Sequence, residues 1–388
     1  MIERDNKTNT WSLTWIVLQL AVVFSVFSQI ESIERFARPG MYIMWIAVLA
    51  LGCYKNHGKL HMDAFSQRFL IAYALFCLYC LFIGLIDSRH FSAHYIRVLI
   101  VPLLVTIAGS MYIDGDNKLV NRLGRVYLIC SVLFGLWVQR TYFPSYTSWL
   151  SARIYLFQQK NSAGQIWVAA IFVSILLLDY KNNIEKSVIY IACGYLLIMT
   201  GISQCRTALL GVAVAIVAFS ISRAKHKGRW IIIVVALATA AWLIPFTRQF
   251  IEQALVLNKY AGTDLNTFSS GRIGRYEKAF LNIFSSPIIG VGEYYVDCSY
   301  ILILAESGLL GLIIVEWVWF KKITMCFGYS GEPKAKTFLF MMTVFYIIES
   351  ILEGYPPFGP GVSSFMFWFL SSQLINQSYR EMKIENEA

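Results

Sequence analysis

Residues 69–86 read FLIAYALFCLYCLFIGLI, 18 positions without a charged side chain. As an α-helix this run extends about 27 Å, close to the ~30 Å hydrocarbon core of a bilayer. Such an element has no place on the surface of a soluble domain. It is not isolated: 57% of the 388 residues are hydrophobic and 14% are charged. Comparable runs fall at 11–30, 40–54, 69–87, 98–113, 125–138 and 165–180, then at 187–203, 207–222, 230–246, 299–320, 337–352 and 361–376. With no water to satisfy backbone groups in lipid, helices are the expected spanning elements. The expected fold is an all-α integral membrane protein of about 12 transmembrane helices, a single polytopic domain over 1–388. The flank MIERDNKTNT carries as many acids as bases, unlike a signal peptide, so the first run is expected to stay as an anchor.

Lys and Arg in the loops orient the spans. With the N-terminus in the cytoplasm, the inner segments hold 13 Lys and 7 Arg and the outer ones 3 Lys and 10 Arg. An even number of spans returns the C-terminus to the cytoplasm. The excess of outer arginine needs a reason other than topology. A guanidinium presents a planar fork of donors that matches phosphate, and an ammonium does not. Carboxylate pairing within the loops is the simpler alternative.

The net charge of +10 fits contact with anionic inner-leaflet lipid. It gives no sign of a nucleic-acid partner. Cys77 and Cys80 have C-x-x-C spacing but lie inside an apolar run, without redox or zinc context. The five histidines (57, 61, 90, 94 and 226) are scattered, so neither a metal site nor a cofactor is expected, and there is no Walker or Rossmann fingerprint.

Two long loops face outward in this topology. Residues 139–164 are rich in Tyr and Trp, suited to interfacial anchoring or sugar stacking, and include Arg153. Residues 247–298 are too long for a plain connection. They contain two amphipathic patterns, TRQFIEQALVLNKY and then SSGRIGRYEKAF. In the second, Ser270 is the expected N-cap, Ile273, Tyr276, Phe280 and Ile283 keep helical spacing, and Pro287 ends the element. Arg272 and Arg275 then share one face of the first turns, where the helix dipole disfavours cations and favours a bound anion. Neutralisation by Glu277, Asp264 or lipid headgroups is the alternative.

Three further features surround that loop. Arg206 lies in an expected hairpin at 204–206. Asp297 stands at the outer end of the tenth run, and Glu306 lies roughly 13 Å further along the same helix, where it needs a buried donor such as an Arg or a backbone amide. Glu349 and Glu353 are one turn apart and suit either acid–base work or pairing with the outer arginines.

The segments KNSAGQ (160–165), SQCRTALLG (203–211), SGRIGRYEKAFLNIFSSPIIGVGEYY (270–295) and DCSYILILAESGLLG (297–311) together resemble the O-antigen ligase and polymerase family of bacterial membrane proteins. The resemblance covers roughly residues 155–375. It implies a metal-independent glycosyltransferase acting on undecaprenyl-pyrophosphate-linked glycans at the periplasmic face of the inner membrane, with 247–298 as a periplasmic loop. Arg206 and Arg272 match pyrophosphate-binding arginines, and Arg275 stands beside the second. Asp297 occupies the position where ligases carry a His that activates the acceptor, a departure that suits a polymerase. Arg153, Tyr276 and Tyr295 complete the expected substrate-binding set. Membrane lipids and a chain-length regulator protein are the other partners it implies. A ligase acting on lipid A-core is the alternative within the class. A transporter or flippase is the alternative outside it, and the inverted repeats and broken helices it calls for are not evident in the sequence.

Overall fold

The computed structural model describes residues 2–60, 62–92, 94–112, 118–143, 160–223, 227–255, 266, 271–359 and 363–387. Every regular element among them is helical. The first seven α-helices are α1 (Ile2–Phe27), α2 (Glu34–Lys55), α3 (Ala64–Ile86), α4 (His94–Met111), α5 (Lys118–Tyr142), α6 (Lys160–Leu176) and α7 (Asn183–Ile202). The remainder are α8 (Arg206–Arg223), α9 (Lys227–Leu243), α10 (Pro245–Ala254), α11 (Arg272–Ser285), α12 (Ser299–Phe327), α13 (Pro333–Leu352) and α14 (Phe365–Glu387). A short 3-10 turn, Ser88–Ser92, precedes α4.

Each apolar run falls on a helix, and 8 helical segments are long and apolar enough to cross a membrane. The others fall short for identifiable reasons. Helices α6 and α9 have 17 residues each. The apolar part of α1 is confined to Leu13–Phe27. The second half of α14 is polar.

The bundle core lies where α4, α6, α13 and α14 meet their neighbours. Helix α6 is buried on all sides over Ser162–Ala170, as expected of a helix apolar all round. Helices α4 and α14 cross closely at Gly109, where a Cβ would meet the Phe369 carbonyl oxygen at 2.4 Å. Helix α13 packs on α8, and Gly211 is the close-approach point, facing the Phe345 ring. This antiparallel contact brings the head of α8 to the C-terminal end of α13.

Helix α12 is not continuous. Gly308 takes φ 63° and ψ −169° and breaks it. The break frees backbone groups in a buried setting, and the loop after α11 takes them up. Val291 and Gly292 donate to the Ala305 and Glu306 carbonyls at 2.9 and 3.1 Å, and Leu309 and Leu310 donate to Pro287 and Ile288 at 2.9 and 3.3 Å. The Tyr79 hydroxyl donates to the Ser307 carbonyl at 2.7 Å. The backbones lie so close that a Cβ on Gly308 would sit 2.2 Å from the Ile288 oxygen, and one on Gly290 would sit 2.5 Å from the Glu306 oxygen. A sequence reading of 299–320 as one uninterrupted helix is corrected here. A glycine inside an apolar run does not announce a left-handed backbone.

Candidate functional site

Helix α11 forms where the amphipathic spacing places it, and it ends at Ser285, two residues before Pro287. Its start differs in detail. The N-cap is Gly271 in the left-handed region at φ 79°, and the Asn266 side chain accepts from Gly274 N at 2.9 Å. The expected cap Ser270, like Asp264, lies outside the described residues, as do most of the aromatic outer loop and Arg153.

Arg272 and Arg275 share one face, and that face meets the head of α12. Arg275 Nη1 lies 2.8 Å from Asp297 Oδ2, and Arg272 Nε lies 3.4 Å from the same oxygen. Arg272 Nη2 also donates to Glu353 Oε1 at 2.8 Å. The Tyr295 hydroxyl donates to Asp297 Oδ1 at 2.9 Å. The Tyr276 hydroxyl donates to the Asp297 carbonyl at 2.5 Å and fixes α11 to the segment that leads into α12. Two guanidiniums therefore face two carboxylates, and both oxygens of Asp297 are engaged. The helix-start repulsion that pointed to a bound anion is met within the protein by Asp297 and Glu353, rather than by Glu277.

Burial decides how these groups behave. Asp297 and Glu353 are 7% and 6% exposed, whereas the Arg275 side chain is 41% exposed. Burial pushes the Glu353 carboxyl above its ordinary range, and Arg272 pulls it back part of the way. Burial opposes the charge on Arg272, but Glu353 and Asp297 outweigh it and raise its pKa. Burial, then Asp297, raises the Tyr295 phenol, so it remains a donor at neutral pH.

Arg206 opens α8, after a hairpin at 203–205, one residue earlier than the sequence suggested. Its neighbour Cys205 donates to the Lys160 carbonyl at 2.9 Å and feels the charges of Glu349 and Glu353. Arg206 is thus at the same end of the bundle as the Arg272 cluster. Arg272, Arg275, Tyr276, Tyr295 and Asp297 form one contact set.

Of the two carboxylates that the sequence offered for pairing with the outer arginines, Glu353 takes that role with Arg272. Behind it, fully buried Glu349 accepts from Gln165 Nε2 at 2.9 Å, and Ser363 donates to Gln165 Oε1. His94 is a residue that sequence reasoning did not place near the site. Its backbone N donates to Glu306 Oε1 at 2.8 Å, and its Nε2 lies 2.8 Å from Glu293 Oε1. Glu306, 1% exposed, thus finds the backbone-amide donor that its depth demands. Nothing in the sequence links position 94 to position 306.

No protein-family model matches the chain, and no curated protein matches it.

Proposed function

We propose that this chain is a membrane glycosyltransferase that polymerises a bacterial surface polysaccharide, such as an O-antigen, capsule or exopolysaccharide. It would act at the periplasmic face of the inner membrane, with 12 crossings and both termini in the cytoplasm. The growing glycan passes from undecaprenyl pyrophosphate to a non-reducing-end hydroxyl of a new lipid-linked repeat unit. The observation that carries this reading is the convergence of Arg272 and Arg275 on Asp297 at one end of an apolar bundle. The guanidiniums are partly exposed, whereas the carboxylates behind them are buried.

In this reading a pyrophosphate displaces carboxylate contacts from the arginines. The bond between the acceptor oxygen and the sugar anomeric carbon forms as the bond from that carbon to the phosphate oxygen breaks. The electron pair leaves on the pyrophosphate, where Arg272, Arg275 and Arg206 stabilise it. The hydroxyl proton passes to Asp297, whose Oδ2 is released as the arginines turn to the incoming anion. Tyr295 and Tyr276 hold Asp297 in place during the exchange.

The ligase alternative predicts loss of all attached glycan on deletion, whereas loss of a polymerase leaves single repeat units on the surface lipid. The transporter alternative gains one feature from the structure, the break at Gly308. Loop backbone and Tyr79 occupy the groups freed there, which leaves them unavailable to coordinate a solute. Replacement of Arg272, Arg206 and Asp297 by Ala, scored by chain-length ladders of surface glycan, tests the reading. Short or absent ladders are expected, and wild-type ladders in all three refute it.

A further inference from the structure

At the far end of α11 from Arg272 lies a separate cleft of about 670 Å³. Asp87 at the C-cap of α3, Arg89 of the 3-10 turn, Asn282 and Ser285 of α11, and Glu293 and Tyr294 of the following loop form its polar lining. Its size falls in the usual range for small-molecule sites, about 300–1,000 Å³.

The walls are held before any ligand arrives. The loop 287–292 is fixed by its four backbone bonds to α12. It lies so close to the 3-10 turn that a Cβ on Gly292, at φ 83°, would sit 2.6 Å from Arg89 Cβ. His90 Nε2 lies 3.0 Å from the Ile289 carbonyl and ties the same two segments.

The charged groups of the lining each have a partner. Arg89 Nε and Nη2 grip Asp87 Oδ2 at 2.9 and 2.5 Å. The Arg89 hydrogen bonds hold the Asp87 carboxyl down at about 2, so it is ionised at neutral pH. Glu293 is engaged by His94 at 2.8 Å. Between these charged groups the lining presents Asn282, two serines and Tyr294, interspersed with Ile86, Ile289 and Val291. Among the described residues Arg89 is the one cation of the lining against the two carboxylates of Asp87 and Glu293, so the cleft is net negative and disfavours a pyrophosphate, and a lipid tail would strand the polar groups. A sugar ring carries both hydroxyls and apolar C–H faces and matches the mixture.

We propose that this cleft is a saccharide subsite that holds an uncharged sugar of the glycan away from the point of bond formation. The identity of the ligand as the glycan rests on the function proposed above. Asn282 and Ser285 lie 10 and 13 residues after Arg272 on α11, so the cleft lies about 15–20 Å from Arg272 along the helix axis. The bound sugar is therefore a unit further along the chain, and it anchors the glycan while its reacting end lies at Asp297.

The test uses the full chain in phosphatidylethanolamine/phosphatidylglycerol nanodiscs. The probe is the lipid-free repeat-unit oligosaccharide, released by mild acid from the surface polysaccharide of the strain that carries the gene. Saturation-transfer NMR titrations compare wild type, Arg272→Ala and the double variant Asn282→Ala/Ser285→Ala. Each neutral hydrogen bond lost weakens binding about fivefold, so the double variant is expected to bind about 25-fold more weakly. Arg272→Ala is expected to bind like wild type, because the probe lacks pyrophosphate. Wild-type affinity in the double variant, an equal loss in Arg272→Ala, or no binding by wild type at millimolar probe would overturn the subsite. Loss of binding in the double variant beside wild-type ladders in Arg272→Ala, Arg206→Ala and Asp297→Ala would keep the subsite and remove the proposed catalytic centre.

Discussion

Replacing Arg272 by Gln removes the cation nearest Glu353 but leaves Asp297 its shorter partner, Arg275 at 2.8 Å. The orphan created is therefore Glu353, a carboxylate only 6% exposed. Exposed ion pairs contribute about 0–1 kcal/mol, and breaking a buried pair costs about 3–5 kcal/mol. With side chains 21% and 8% exposed, the Arg272–Glu353 pair lies nearer the buried limit, and a loss of about 3 kcal/mol is expected at pH 8. The cost depends on pH in a fixed direction. The Glu353 pKa already lies above its ordinary value of 4.5 through burial, and removing Arg272 raises it further. A carboxyl whose folded pKa is raised binds more protons in the native state, so stability falls as pH rises from the ordinary value through the folded one. At lower pH more of this carboxyl is protonated, and the same substitution is expected to cost less. Adding Glu353→Gln to Arg272→Gln removes the charge altogether and is expected to restore about 2 kcal/mol at pH 8. Thermal unfolding in detergent, followed by tryptophan fluorescence at pH 5 and pH 8, measures all four corners of this cycle. An equal loss at both pH values, or a double variant less stable than Arg272→Gln at pH 8, refutes the argument.

Three other outcomes follow from the geometry. Gly308→Ala or Gly290→Ala forces a Cβ onto a carbonyl oxygen at 2.2 or 2.5 Å in left-handed backbone, so each is expected to cost more than about 3 kcal/mol. Size-exclusion profiles and melting curves check this, and wild-type behaviour in both would mean the α12 break is not held by the loop. Tyr295→Phe deletes the 2.9 Å donor to Asp297 and leaves the ring, so normal expression with about a fivefold slower chain elongation is expected. Glu306→Gln keeps an oxygen to accept from His94 N and is expected to fold within about 1 kcal/mol of wild type, whereas Glu306→Leu strands that amide at about 1–3 kcal/mol, as compared by melting temperature.

The helical membrane architecture was legible because it depends on local composition. An 18-residue apolar run carries its own reading, as does the 3, 4, 3 spacing that places α11 at Arg272–Ser285. The arginines could be placed on one face for the same reason. What answers them could not, because Glu353 lies 81 positions from Arg272 and Glu306 lies 212 from His94. Pairings over such separations are set by packing of apolar faces that look alike in sequence, so Glu353 stood as one candidate partner beside Glu349, Glu277 and Asp264, with nothing to choose among them. The number of spans is a different kind of shortfall. Hydropathy marks where a helix is apolar, but α6 and α9 close at 17 residues, and only the fold reveals that α6 is enclosed by protein while much of α9 is exposed.

The break in α12 joins these two kinds of information. Pro287, Gly290 and Gly292 could be read as a turn, and Gly308 as a packing glycine, each from its own neighbourhood. Their shared purpose appears only when the two segments meet, because the loop donates to and accepts from the groups that Gly308 exposes. That stitch fixes the end of α11 against α12, and Tyr276 fixes its middle to Asp297. The register of Arg272 and Arg275 against Asp297 is thus held from two directions, as a centre that must exchange a carboxylate for an incoming anion without losing its geometry requires.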